Sequence, residues 1–452
     1  MTKPPAPCGC RGAAAFRKKY PRKRKEKAMK KSASYLALFL TTAALFAACG
    51  QKPAVSEPTP APTGSAELTP TDAATLTPTP APTEKPEPTE PPFADTVNLL
   101  NTYGKIFGYN GTCINYSQLK SVYTLKLLKA QYNSVTLENE MKPDALLGQS
   151  PTLISIEQAK ELGYVIPENY TDTTVPKLHF ETTDDVLRLC AENGLGLRAH
   201  TLVWHSQTPA WFFRTDYTSP DTYVSKEVMD ARLEFYIRTV MSHVYDNKDG
   251  SVVYAWDVVN EYLHAENSGW EAVYGDEGLT PSFVKLAYEI ADDVLKEYGI
   301  RDKVSLFFND FNTYMEVTEM LSVMAFINEE ENICDGIGMQ AHLDTGYPST
   351  ELFKSTLQSF LNAGYEIQIT ELDVTNQSED VQAEYFYNLM SGILEAKKAG
   401  GNITGITYWG LADNVSWRES QSPLLFYLPS RPKPSYYQAL QAYADAGFPI
   451  TE

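Results

Sequence analysis

Cysteine is scarce in this chain: of six among 452 residues, three lie before residue 50, and only Cys113, Cys190 and Cys334 follow. An odd, scattered set of three excludes a disulfide framework and offers no metal-ligand spacing, so these thiols read as small buried hydrophobes. The six histidines, His179, His200, His205, His243, His264 and His342, never pair at i,i+4, which removes the helical zinc motif. There is no G-x-S-x-G, no Walker loop and no G-x-G-x-x-G after a strand. Neither a metal nor an organic cofactor is expected. Basic residues are few as well. Residues 1–31 hold 12 Lys/Arg and one acidic residue, which leaves 26 Lys/Arg against 56 Asp/Glu, a formal charge of −30, for residues 32–452. A body of that sign repels nucleic acid and anionic membrane surfaces and suits a neutral substrate.

Long apolar runs are equally rare. The exception, SYLALFLTTAALFAAC (34–49), follows Met29-Lys30-Lys31 and is too short, and too rich in small residues at its end, to span a bilayer. A charged start, an apolar middle and a small-residue end make a secretory signal, with Met29 as the expected true start. The run closes on Ala47-Ala48-Cys49, which resembles the lipobox of bacterial lipoproteins, with Phe46 where Leu is usual. The resemblance implies that Cys49 becomes the acylated first residue of the mature chain. The protein would then lie outside the cell or on its surface, touching the membrane through a lipid anchor alone. A plainly cleaved signal and a retained anchor are the competing readings. Residues 50–93 turn to Pro, Thr, Ala and Glu, as in EPTPAPTGSAELTPTD, which cannot bury a core and reads as an extended, disordered spacer.

From 94 to 450 the composition becomes that of a folded domain. Strand-like runs occur at KIFGYN (105–110), NSVTLEN (133–139), LGLRAHTLVW (195–204), VVYAWDVVNE (252–261), VSLFFND (304–310), GIGMQAHL (336–343), EIQITELDV (366–374) and GITYWG (405–410). Between them lie amphipathic stretches such as PSFVKLAYEIADDVLKEYG (281–299) and DVQAEYFYNLMSGILEAKKAG (380–400), with apolar residues at helical spacing. Eight strands in continuous βα alternation predict a single (β/α)8 TIM barrel.

In such a barrel the body of each strand fills the interior, and only its last residues reach the mouth where active sites form. Here those ends carry Glu138-Asn139, His200 with Trp204, Asn260-Glu261, Asn309-Asp310, Gln340 with His342, Glu371 with Asp373, and Trp409. Each alone could be a satisfied structural group; their convergence on one mouth argues for a site. Paired carboxylates with amide and aromatic company suit glycoside cleavage, where one carboxyl protonates the leaving oxygen and the other meets the oxocarbenium-like carbon.

These residues also fall within known motifs. TLENEMK (136–142), RAHTLVWHSQTPAW (198–211), WDVVNE (256–261), FNDFN (308–312), GIGMQAH (336–342), ITELDV (369–374), ITYWGLADNVSW (406–417) and PKPSYYQAL (432–440) stand in the order found in glycoside hydrolase family 10, the endo-β-1,4-xylanases. From about 103 to 443 the chain resembles that family. The resemblance implies endo-hydrolysis of β-1,4-xylosidic bonds with retention, and xylan and xylo-oligosaccharides as partners; a monomer is expected. It makes Glu261 the general acid/base and Glu371 the nucleophile, with His342, steadied by Asp373, on Glu371 and Asn260 at the sugar 2-hydroxyl. It places Glu138, Asn139 and Lys142 at the glycone sugar and His200, Trp204 and Gln207 where the bond breaks. Gln340 joins the cleft, Trp409 floors it and Trp417 overhangs it. His205 and Trp211 read as packing, Trp256 as core, and Asp310 and Asn312 as support for the mouth.

Four departures from the pattern bear on subsites. Tyr262 follows the acid/base where Ala is common, Pro143 follows Lys142 where Trp is frequent, and Tyr427 replaces an acidic residue after PLLF. The segment 144–185 is long and should reshape the glycone end. The alternatives are a β-1,4-glucan-active barrel glycosidase and an inactive surface polysaccharide binder.

Overall fold

The computed structural model describes residues 96–450. The leader, Cys49 and the 50–93 spacer lie outside the described residues. Within them the barrel forms as expected. Its strands are β1 (Tyr109–Ile114), β2 (Ser134–Leu137), β3 (Gly196–Trp204), β4 (Val253–Asn260), β5 (Ser305–Asp310), β6 (Gly336–Met339), β7 (Glu366–Thr375) and β8 (Ile403–Tyr408). Each pairs in parallel with the next, and β8 returns to β1, so the sheet closes without an edge.

The helices between strands follow their sequence signals. Ser282–Glu297 buries Phe283, Val284, Ala287, Ile290, Ala291, Val294 and Leu295, one stripe at helical spacing against the sheet. Ser225, Ser349 and Ser378 accept from Val228 N, Leu352 N and Val381 N and so start the helices Lys226–Asp246, Thr350–Asn362 and Glu379–Lys398. Cys113, Cys190 and Cys334 are buried, free thiols, and Trp256 is in the core with Nε1 on Tyr245 Oη at 2.8 Å.

Below the mouth the barrel interior is polar. Arg198 donates to Asp257 (Nε to Oδ2, 3.1 Å) and Gln368 (2.6 Å), and Asp257 also meets His200 Nδ1 at 2.9 Å. Buried charge is costly unless paired and hydrogen-bonded, and here the donors and acceptors match. Burial opposes the Asp257 charge, but Arg198 and His200 outweigh it and hold its carboxyl below the usual range.

Two expectations need correction. The first strand is not 105–110: Tyr103–Ile106 is a helical turn, Gly108 at φ 89 breaks the chain, and pairing starts at Tyr109. The true strand, YNGTCI, hides its character because it carries Asn and Gly. Asn110 Nδ2 donates to Gln131 O at 2.9 Å, and a Cβ on Gly111 would stand 2.6 Å from Ser134 Oγ, so the closed barrel accepts residues that strand rules disfavour. The sixth strand stops at Met339; Ala341 turns at φ 61, and His342–Asp344 resumes as a short strand on β7.

Most of the 144–185 segment packs away from the barrel mouth. Its hairpin (Leu153–Ser155 with Thr174–Pro176) belongs to a layer packed outside the barrel on helix Lys226–Asp246. There Tyr164 lies 6.1 Å from Phe235, and Asp172 Oδ2 is 2.7 Å from the buried Arg232. Only its beginning, Asp144, reaches Gln207, at 3.3 Å.

Candidate active site

The two carboxylates and the polar residues named with them lie toward or just past the C-terminal ends of the barrel strands. Glu261 follows β4 directly, in the left-handed region (φ 59, ψ 41). Its backbone N–H is tied to Asn309 O at 2.8 Å. Trp204 Nε1 donates to its Oε2 at 2.8 Å and Gln340 Nε2 to its Oε1 at 2.9 Å. Both carboxylate oxygens are thus aimed by neutral donors, while the side chain keeps some exposure, 14%.

Glu371 lies inside β7 and is more enclosed, its side chain 6% exposed. Asn309 Nδ2 donates to Oε1 at 2.7 Å, and His342 Nε2 stands 3.1 Å from Oε2. Burial alone would raise this carboxyl. The His342 hydrogen bond, the His200 and His342 rings and the Asn309 hydrogen bond outweigh it and hold it below the ordinary value, hence ionised. His342 is in turn placed by Asp373, whose Oδ2 is 3.1 Å from Nδ1, close enough for an ion pair although the N–H points off the line of a hydrogen bond. Burial works against the imidazolium, but Asp373 and Glu371 lift its pKa to about 9.

The two carboxylates share one network. Gln340 Nε2 reaches Asn260 Oδ1 (3.1 Å) as well as Glu261, and Asn309 Nδ2 reaches Asn260 Oδ1 (2.8 Å) as well as Glu371. Asn260 therefore spends its oxygen on the protein, and among the described residues its amide nitrogen has no partner. The break after β6 is what sends Gln340 to one carboxylate and His342 to the other.

The remaining groups line the same opening. Lys142 is buried, 4.7 Å from the Trp204 ring and 3.3 Å from Asn139 Oδ1; no ion pair with Glu138 forms. Burial, partly offset by Lys142, raises the Glu138 carboxyl. Gln207 Nε2 bridges Asn139 (3.4 Å) and Asp144. Trp409, 7% exposed, packs against His200 and His342 at 5.6 and 6.2 Å. Trp417, 54% exposed, anchors itself by Nε1 on Asp373 at 2.8 Å. An exposed, tethered indole is a platform for the apolar face of a sugar ring. Tyr262 bonds Gly278 O through its hydroxyl at 2.7 Å, and its ring meets Phe283 at 5.8 Å. It walls a recess of about 380 Å³ together with Leu263, Trp270 and Phe283.

Sequence reasoning passed over several supporting groups. Asn309 was visible as a strand end but not as the link between the carboxylates. His205, read as packing, has Nε2 4.0 Å from Glu261 Oε2, and its buried Nδ1 lacks a partner among the described residues. Arg418 pairs with Asp373 at 3.1 Å and lies 4.7 Å from the Trp417 ring. Asp310 and Asn312 do support the mouth: Asp310 takes His264 at 2.9 Å, and Asn312 takes Tyr314 Oη at 2.8 Å.

Comparison with known proteins gives the same picture. The model of glycosyl hydrolase family 10 matches residues 98–442. Endo-1,4-beta-xylanase A of Butyrivibrio fibrisolvens is 47% identical over 353 residues, covering 78% of this chain and 86% of that one. The N-terminal endo-1,4-beta-D-xylanase modules of Clostridium thermocellum, solved with xylohexaose, superpose with a TM-score of 0.65 at 28% identity, covering 76% of this chain and 67% of that one. An endo-1,4-beta-xylanase from Caldicellulosiruptor owensensis superposes with a TM-score of 0.60 at 27% identity, over 76% of this chain and 99% of that one. The chain belongs to glycosyl hydrolase family 10.

Proposed function

We infer that this chain is an endo-1,4-β-xylanase that hydrolyses internal xylosidic bonds by double displacement. The observation that carries the mechanism is the unequal treatment of two networked carboxylates. Glu371 is enclosed, hydrogen-bonded by Asn309 and His342 and held ionised. Glu261 is more open and takes neutral donors. In the first step Glu371 attacks the anomeric carbon while Glu261 gives its proton to the departing glycosidic oxygen, leaving a covalent glycosyl-enzyme. In the second, Glu261 takes a proton from water, which displaces Glu371 and restores both groups. Two inversions at one carbon retain the β configuration. Asn260 offers its amide nitrogen to the 2-hydroxyl, a contact that strengthens as the oxocarbenium character develops.

The cleft residues follow from the same reading. Glu138, Asn139 and Lys142 hold the glycone sugar. His200, Trp204, Gln207 and Gln340 line the cleavage point, with Trp409 below and Trp417 above. The enzyme acts as a monomer on xylan and xylo-oligosaccharides, held to the cell surface by a lipid on Cys49, with residues 50–93 giving reach toward an insoluble polymer. Proton NMR of xylohexaose cleavage tests the reaction: a β anomer formed first, with initial rates on xylan far above those on carboxymethylcellulose, is expected. An α anomer formed first would sink the mechanism, and a preference for carboxymethylcellulose the substrate.

A further inference from the structure

The left-handed backbone of Glu261 (φ 59, ψ 41) is a conformation that a non-glycine residue keeps only where its surroundings impose it. Much of that constraint passes through one ring. His264 ends the 3-10 turn Tyr262–His264 that follows Glu261, and its N–H bonds back to Glu261 O at 3.2 Å. Its imidazole lies against Phe311, centroids 3.7 Å apart and planes 23° from parallel. Nδ1 is 2.9 Å from Asp310 Oδ1, and Nε2 is 3.5 Å from Glu316 Oε2. Asp310 is fully buried at the end of β5, and its other oxygen accepts from Leu263 N at 3.4 Å. Glu316 precedes helix Val317–Ile327. The ring therefore ties the turn after Glu261 to the neighbouring strand and to the next helix.

Nδ1 is hydrogen-bonded to Asp310, whereas Nε2 meets Glu316 at ion-pair distance without a hydrogen bond, so both carboxylates favour the imidazolium. Burial opposes that charge, but Asp310 and Glu316 outweigh it and raise the His264 pKa. The other titratable groups whose charge reaches the ring are Glu261 and His205, just past the end of the adjacent β3. No step of the reaction uses this ring directly.

We propose that His264 is a positioning residue for the acid/base: the Asp310–His264–Glu316 clamp fixes the turn after Glu261 and so aims its carboxyl at the glycosidic oxygen. The inference rests on the reading of Glu261 as acid/base.

The test compares His264→Ala, Glu316→Gln and Glu261→Ala on two substrates, by kcat for xylohexaose and by burst rate for a dinitrophenyl xylobioside, whose phenolate leaves without a proton. Since misplacement of a catalytic group by about 1 Å can cost on the order of 10²-fold, His264→Ala should lose roughly 10- to 100-fold on xylohexaose while its burst rate stays within about 2-fold. Glu316→Gln keeps the Asp310 contact and should show the same split at roughly 3- to 10-fold, well inside what general acid catalysis supplies. If His264→Ala does not fold, Glu316→Gln decides by that split. Equal losses on both substrates would mean a merely structural ring, and no loss would mean an idle one; either overturns the proposal. A Glu261→Ala enzyme that shows no split would instead remove the acid/base reading, and this inference with it.

Discussion

His342 Nε2 and Glu371 Oε2 stand 3.1 Å apart in a buried ion pair that gives the nucleophile its charge and the imidazole its proton. The pair has a pH signature. The His342 pKa rises from 6.5 to about 9, so the stability it lends is fully present below about pH 6.5 and fades as pH climbs through 9. Glu371 is shifted down, so its share is present above the ordinary carboxylate range and lost as pH falls through the depressed value. Thermal melts from pH 6 to 10 should show the wild-type Tm falling on the alkaline side more steeply than that of His342→Gln. Parallel slopes would mean that the pair is not coupled to folding.

Glu371→Gln keeps the shape of the side chain but cannot form the glycosyl-enzyme. Turnover should drop by roughly 10³-fold or more in a protein that still folds. A variant retaining a tenth of wild-type activity would end the nucleophile assignment.

Asn309 is held in place by a residue with no side chain. A Cβ added at Gly338 would stand 2.2 Å from Asn309 Oδ1 and 3.0 Å from Thr370 Cγ2. Asn309 cannot yield freely, since it accepts from Thr370 Oγ1 at 2.6 Å and donates to both Asn260 and Glu371. Gly338→Ala should therefore cost about 1–3 kcal/mol of stability, as overpacking does, and lower kcat about 10-fold although no catalytic group is altered. Loss of stability with unchanged kcat would show that Asn309 does not link the carboxylates.

The anchor is tested by fractionation. With a lipidated Cys49, Cys49→Ala should move the enzyme from the membrane fraction to the medium or soluble fraction. An unchanged distribution would mean that the protein is held, or released, by other means.

How much of this was written in the sequence differs by residue. The barrel, seven of its strands and both carboxylates were legible because apolar strands that end in polar pairs leave a local pattern. The first strand was misplaced because closure of the barrel, which no local window contains, selects Asn110 and Gly111. The break at Ala341 was invisible for a similar reason: GIGMQAHL reads as one run, yet its division steers Gln340 and His342 to different carboxylates. His205 and His264 sit just past strand ends, where a turn decides which way a ring points. Their neighbours, Glu261 for one and Asp310 and Glu316 for the other, come together only in three dimensions.

The central claim is that Glu261 supplies the proton in a retaining mechanism, and azide rescue of Glu261→Ala tests it most directly. With an aryl xylobioside bearing an activated phenol, the variant should release a burst of phenol and then stall, because hydrolysis of the glycosyl-enzyme lacks its base. Azide needs no base, so adding it should restore turnover and yield a β-xylosyl azide. An α-azide, or neither burst nor rescue, would contradict the account.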